Sequence, residues 1–209
     1  MLKNNRRTSK PARCSSDTGF TLIELAVVVA IFFVIAGITV PSLPTIMTGL
    51  KLRGAAQELA GFYQQARMRA VQDNTYYVVL PASGSAGVFL DLSGDGTEAG
   101  RPTVRFPATV SLNNAGIPAG LDLVKLGFNP PDSSSLTTFD HDGTSRQGLA
   151  WNSRGLPCQR ISPTSACQAG SGWVQYLQYP TGGQIAYAAV SVSPAGRARV
   201  WMYQGGVWR

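Results

Sequence analysis

Glu24 is the acid in this sequence that most needs an explanation. It is the only charge in the run Phe-Thr-Leu-Ile-Glu-Leu-Ala-Val-Val-Val-Ala-Ile-Phe-Phe-Val-Ile-Ala-Gly-Ile-Thr-Val, residues 20–40. A carboxylate inside a membrane segment costs on the order of 3 kcal/mol on insertion scales, which makes it a functional residue by default. Its natural relief is a cation at the same depth, and the run holds no Lys or Arg to supply one.

Three further groups of side chains could do chemistry. Asp91-Leu-Ser93-Gly-Asp95-Gly96 sets oxygen donors at alternate positions before a glycine, as a calcium loop begins. Its twelfth position is Pro102, where a bidentate Glu is required, so an Asp/Gly turn between strands is the simpler reading. Cys158 and Cys167 lie nine positions apart in a loop that also holds Pro157 and Pro163. Outside the cytoplasm such a pair reads as a disulfide, worth roughly 2.5 kcal/mol by the chain-entropy account. Cys14 has no partner on its side of the apolar run.

The third group is a basic hairpin. Ser193-Pro194-Ala195-Gly196 suits a type I turn joining Tyr187–Val192 to Arg197–Tyr203. Alternation puts Arg197, Arg199, Trp201 and Tyr203 on one face and Ala198, Val200 and Met202 on the other. Two guanidiniums roughly 6.6 Å apart match neighbouring phosphates of one strand, and the aromatics suit stacking on unpaired bases. The alternative is a solvated edge on which arginine lies over Trp201. His141, between Asp140 and Asp142, reads as a solvated turn residue rather than a general base. No serine elbow, phosphate loop or metal cluster appears, so an enzyme is not expected, and neither is a cofactor.

The elements that position these groups follow from pattern. Twenty-one helical residues, 20–40, rise roughly 31 Å and match a hydrocarbon core of ~30 Å. Five basic residues precede them, which predicts a cytoplasmic N-terminus and one pass of the inner membrane. The run is too long for an ordinary secretory signal, and no small-residue cleavage site follows it. A plain signal-anchor is the reading from composition alone.

Beyond Pro41 and Pro44, Leu52, Ala55, Leu59, Phe62, Ala66 and Ala70 recur at helical spacing, predicting an amphipathic helix over 45–72 laid on a sheet. The prolines kink the join. Residues 73–209 then read as a β-rich head. Short runs such as Tyr76–Leu80, Val88–Leu90, Thr103–Phe106, 123–128, Gly148–Trp151, Trp173–Tyr179 and Gln184–Val192 are separated by Gly, Pro, Ser and Asn, with no helical pattern between them. The fold class is α+β, a long N-terminal helix packed on antiparallel sheets.

With 44% hydrophobic and 14% charged residues, the chain is neither disordered nor polytopic, and one His with three Cys excludes zinc-finger arrays. Its net charge of +7 is uneven: residues 70–142 hold eight acids and three bases, while from Gly143 onward there are six arginines and no acid. An acidic middle beside a basic final third points to a partner.

Gly19-Phe20-Thr21-Leu22-Ile23-Glu24 resembles the type IV prepilin signal. The resemblance implies a leader, 1–19, removed after Gly19 by prepilin peptidase, and N-methylation of Phe20. It implies that Glu24 in the 20–44 helix pairs with the amine of a neighbouring subunit, and that Pro41 sits where these helices kink. Together with Trp151-Asn-Ser-Arg154-Gly155-Leu-Pro157 and Gly196-Arg197-Ala198-Arg199, the chain resembles the GspH/FimT family of minor pilins and pseudopilins. That implies a filament subunit of a type IV pilus or a type II secretion pseudopilus, with its head in the periplasm and other pilin subunits as partners. Some relatives bind DNA through a Gly-Arg-x-Arg motif, matched here by Gly196, Arg197 and Arg199.

Overall fold

A computed structural model describes residues 20–39, 43–113, 116–121, 137–169, 172–181 and 184–209. Gly19, Pro41, the leader and the run 123–128 lie outside the described residues. Two compact units divide at residue 43. The first contains helix α1 (Leu22–Thr39). Thr21 caps it, its hydroxyl accepting the Glu24 N–H at 3.3 Å.

Helix α2 (Leu43–Gln72), all but its first residue in the second unit, begins two residues earlier than the pattern predicts. Pro44 falls in its first turn, where the absent N–H has no helical partner to lose. The six apolar positions Leu52, Ala55, Leu59, Phe62, Ala66 and Ala70 are all buried, joined by Ala56 and Tyr63. Asn74, in a left-handed conformation, ends the helix: its N–H reaches Val71 O and the Thr75 N–H reaches Ala70 O.

The strands are β1 (Tyr77–Pro81), β2 (Gly87–Asp91), β3 (Thr103–Arg105), β4 (Ser111–Leu112), β5 (Thr137–Phe139), β6 (Ser145–Gln147), β7 (Leu149–Trp151), β8 (Pro157–Gln159), β9 (Gln168–Ala169), β10 (Trp173–Thr181), β11 (Gln184–Val192), β12 (Ala198–Gln204) and β13 (Val207–Trp208). They form a sheet of order β3-β2-β1-β7-β8-β9, a second of order β13-β12-β11-β10-β4, and the ribbon β5-β6. Every pairing described is antiparallel. Both larger sheets end in strands of two or three residues.

The buried face of α2 shares one core with both sheets, including Tyr77, Val79, Trp151, Trp173, Leu177 and Val190. Alternation turns Val78 and Leu80 to the opposite side of β1, where they meet Phe89, Ala150 and Cys158 in a smaller cluster. A sheet buried on both faces explains why Tyr77-Val78-Val79-Leu80 is apolar throughout rather than alternating.

Candidate functional site

The N-terminal helix α1 is apolar and carries one acid. The apolar side chains described along α1 are exposed on every side, Phe32 and Phe33 at 70% and 69%. A helix apolar all round is one that lipid or other helices must surround. Glu24 sits in its first turn, where the helix dipole favours an acid. Thr21 and Glu24 stand at capping-box spacing, a signal that the sequence itself carries. Among the described residues no helix is long and apolar enough to cross a membrane. The eighteen residues of α1 rise only about 27 Å, and the apolar run of the sequence extends past both of its ends.

The basic hairpin forms with the expected turn. The Gly196 N–H donates to Ser193 O at 2.7 Å, and the Ser193 N–H donates to Arg197 O at 2.9 Å. Strands β11 and β12 pair from Val192 opposite Ala198 to Ala188 opposite Met202. Gly196 has φ +80, and a Cβ there would lie 2.9 Å from Gly155 O and 3.0 Å from a Trp151 ring carbon. Its carbonyl accepts from Gln64 Nε2 at 3.1 Å and Arg67 Nη1 at 3.2 Å, both on α2. The two glycine-containing motifs thus meet each other against one helix. The Gln64 and Arg67 bonds to Gly196 and the Gly155–Gly196 contact were not legible in sequence, because the tertiary fold joins positions 132, 129 and 41 apart.

Alternation along β12 is as expected, with Ala198, Val200 and Met202 packed against the main core. On the other face, Arg197 and Arg199 are exposed, but Trp201 and Tyr203 are half-buried. Trp201 joins a small cluster with Val174, Ala189 and Trp208, and its Nε1–H donates to Ser191 Oγ at 2.8 Å. Tyr203 packs on Trp208 with ring centres 5.3 Å apart. The Arg199 guanidinium lies 5.2 Å from the Trp201 ring, a cation–π contact. The row therefore offers two guanidiniums to solvent, while its aromatics hold the C-terminal strand.

The acidic loop is organised around backbone N–H groups and arginines. Asp91 is buried, and its carboxylate accepts from the backbone N–H groups of Ser93, Gly94 and Gly96. Ser93 Oγ accepts from Arg101, whose guanidinium is also 3.8 Å from Asp95. Thus two of the three calcium candidates, Ser93 and Asp95, face a cation already supplied by the chain. Among the described residues no three His, Cys, Asp or Glu side chains are grouped so as to hold a metal.

Beside this loop lies a second acid, Asp140, which in sequence is simply the residue before His141. Asp140 is fully buried, and no donor reaches its Oδ2. Burial, with the Asp91 carboxylate alongside, pushes its pKa up to about 6 against the pull of the His141 N–H. Arg146 stands 4.0 Å from Asp140 and binds Asp142 at 2.7 Å, holding the Asp142 carboxyl well below the usual range. His141 stacks on Tyr76 at 3.9 Å with its Nε2 at 2.9 Å from Tyr76 O, packed as a turn residue.

Cys158 and Cys167 form the expected disulfide. Cys158 belongs to the smaller core and Cys167 packs against it, so the bridge covers the outer face of the first sheet. Arg160, inside the bridged loop, lies over the Tyr76 ring and donates to Ser165 O and Pro163 O.

The chain matches the family described as "Prokaryotic N-terminal methylation motif" over residues 14–40. No curated protein and no solved structure matches it. The matched motif supports a type IV pilin-like or pseudopilin subunit, membrane-anchored, processed by prepilin peptidase and assembled with other pilin subunits.

Proposed function

We propose that this chain is a minor pilin or minor pseudopilin of the GspH/FimT kind, a non-catalytic subunit at or near the tip of a type IV pilus or of a type II secretion pseudopilus. The observation that carries the reading is Glu24, one acid in an apolar helix exposed on all sides, five positions into a chain that would begin at Phe20. Cleavage after Gly19 creates an amine, and the amine of an adjoining subunit is the cation that Glu24 lacks within its own helix. The head resides in the periplasm, where the Cys158–Cys167 disulfide is stable. Mass spectrometry of the mature N-terminus tests the processing, with methylated Phe20 expected and an intact Met1 fatal to the reading. Glu24→Gln tests the pairing: normal processing with filament incorporation strongly reduced is expected, and normal incorporation would remove the electrostatic step.

A second reading adds DNA capture by the hairpin. It is favoured by the exposure of Arg197 and Arg199 in a C-terminal third without acids, and by Arg154, which flanks Gly155 where that glycine meets the hairpin turn. Because Trp201 and Tyr203 are packed, this reading rests on phosphate contacts rather than on base stacking.

A further inference from the structure

A groove of about 700 Å³ opens between the first turns of α2 and the adjoining ends of β11 and β12. Leu52, Ile185, Tyr187 and Met202 help to line it, and none of its lining residues is charged. Ile185 on its wall is 48% exposed. Gly49 and Gly205 complete its mouth, and a Cβ added at either would meet nothing within 4 Å. Nothing within the head explains Gly49, since glycine inside a helix costs about 1 kcal/mol relative to alanine.

An uncharged groove with a glycine at its rim fits an apolar rod whose backbone approaches closely, as small residues allow where helices pack. Four residues of β11, Gln184–Tyr187, make one wall roughly 10 Å long. The chain itself shows what such a rod looks like. Helix α1 is apolar on every face, carries Glu24 as its one charge, and needs protein around it once it leaves lipid.

We propose that this groove receives the apolar, prepilin-type N-terminal helix of a neighbouring pilin-like subunit. The proposal rests on the pilin-like reading and goes beyond it, because it assigns the receiving surface on the head.

Gly49→Leu puts a larger, helix-favouring side chain on the lining of the groove, at a position where an added Cβ meets nothing within 4 Å, and Gly54→Leu adds one at an equally open helix position that does not line it. Both variants are made in the full chain in membranes, with Phe20 methylation and filament incorporation measured together. The expected result is that both are processed and melt no lower than the parent, while Gly49→Leu alone loses about tenfold or more in incorporation. A photo-crosslinking residue at Ile185 is expected to label a peptide from an N-terminal prepilin-type helix. Normal incorporation of Gly49→Leu, equal loss in both variants, or labelling of lipid, a head peptide or an unrelated protein would overturn the groove assignment. Absence of methylated Phe20 in the parent would instead overturn the pilin-like reading.

Discussion

Arg67, on the helix, hydrogen-bonds the carbonyl of Gly196, in the hairpin turn, at 3.2 Å across 129 positions of sequence. Gln64 donates to the same oxygen. The turn that presents Arg197 is thereby fixed to the longest helix of the head, and its glycine is chosen by crowding as much as by φ. A residue that a motif search would assign to binding is, at Gly196, a packing residue.

Gly196→Ala is therefore expected to destabilise the head by about 2 kcal/mol or more, from the left-handed backbone and from contact with Gly155 O and Trp151. Arg67→Ala should cost about 1 kcal/mol, because Gln64 still satisfies the carbonyl. Gly61→Ala, where a Cβ meets open space in α2, should instead stabilise by about 0.5–1 kcal/mol. Thermal melting of the three variants in the detergent-solubilised full chain checks the order; Gly196→Ala melting with the parent would contradict it.

Asp140 gives the head a pH dependence with a definite sign. A carboxyl raised to about 6 when folded, against roughly 3.9 unfolded, holds its proton better in the native state. Its contribution to stability is present below pH 4 and is lost as the pH climbs from about 4 to about 6. Asp140→Asn keeps a neutral side chain whose amide can donate to Asp91. It is expected to flatten that slope and to raise the melting temperature at pH 7 relative to the parent. A slope between pH 4 and 6 that persists in Asp140→Asn would assign it to other groups.

Removing the disulfide by Cys158→Ser with Cys167→Ser should cost about 2–3 kcal/mol, since the closed loop is short and Cys158 is part of the smaller core. The loss should fall on the first sheet. Hydrogen exchange at Val78, Leu80 and Ala150 is expected to quicken before exchange at Ala189 or Val190 in the other sheet. Uniform acceleration would mean that the bridge stabilises the head as a whole.

For the DNA reading, Arg197→Ala with Arg199→Ala should weaken binding without sequence preference and lower the salt slope by roughly 1.5–2, two phosphate contacts' worth. Trp201→Ala should lower the melting temperature, because it opens the cluster with Val174 and Trp208, and leave the salt slope unchanged. An unaltered slope in the double arginine variant would remove the hairpin from nucleic-acid binding.

What the sequence made legible was whatever periodicity encodes. The buried stripe Leu52 to Ala70, the run Tyr76–Leu80, the turn Ser193–Gly196 and the alternation along β12 all follow from short-range geometry. The disulfide followed from compartment and spacing. Two- and three-residue strands such as β4, β8, β9 and β13 were not legible, because so short a segment has no period and becomes a strand only through its neighbours. The burial of Asp140 against Asp91, 49 positions away, escaped for the same reason, and so did the packing of Trp201. Residue type suggested stacking surface at Trp201, whereas the partner that covers it, Trp208, is supplied by the last strand of the chain.

Both sheets taper to strands of two or three residues. In the second sheet, β4 pairs only with Leu177 and Gln178 of β10, and β13 only with Tyr203 and Gln204 of β12, so each shields a small part of the longer strand it borders. Among the described residues, the Ala198–Trp201 stretch of β12, which carries Arg199, is bordered by a strand on one side alone.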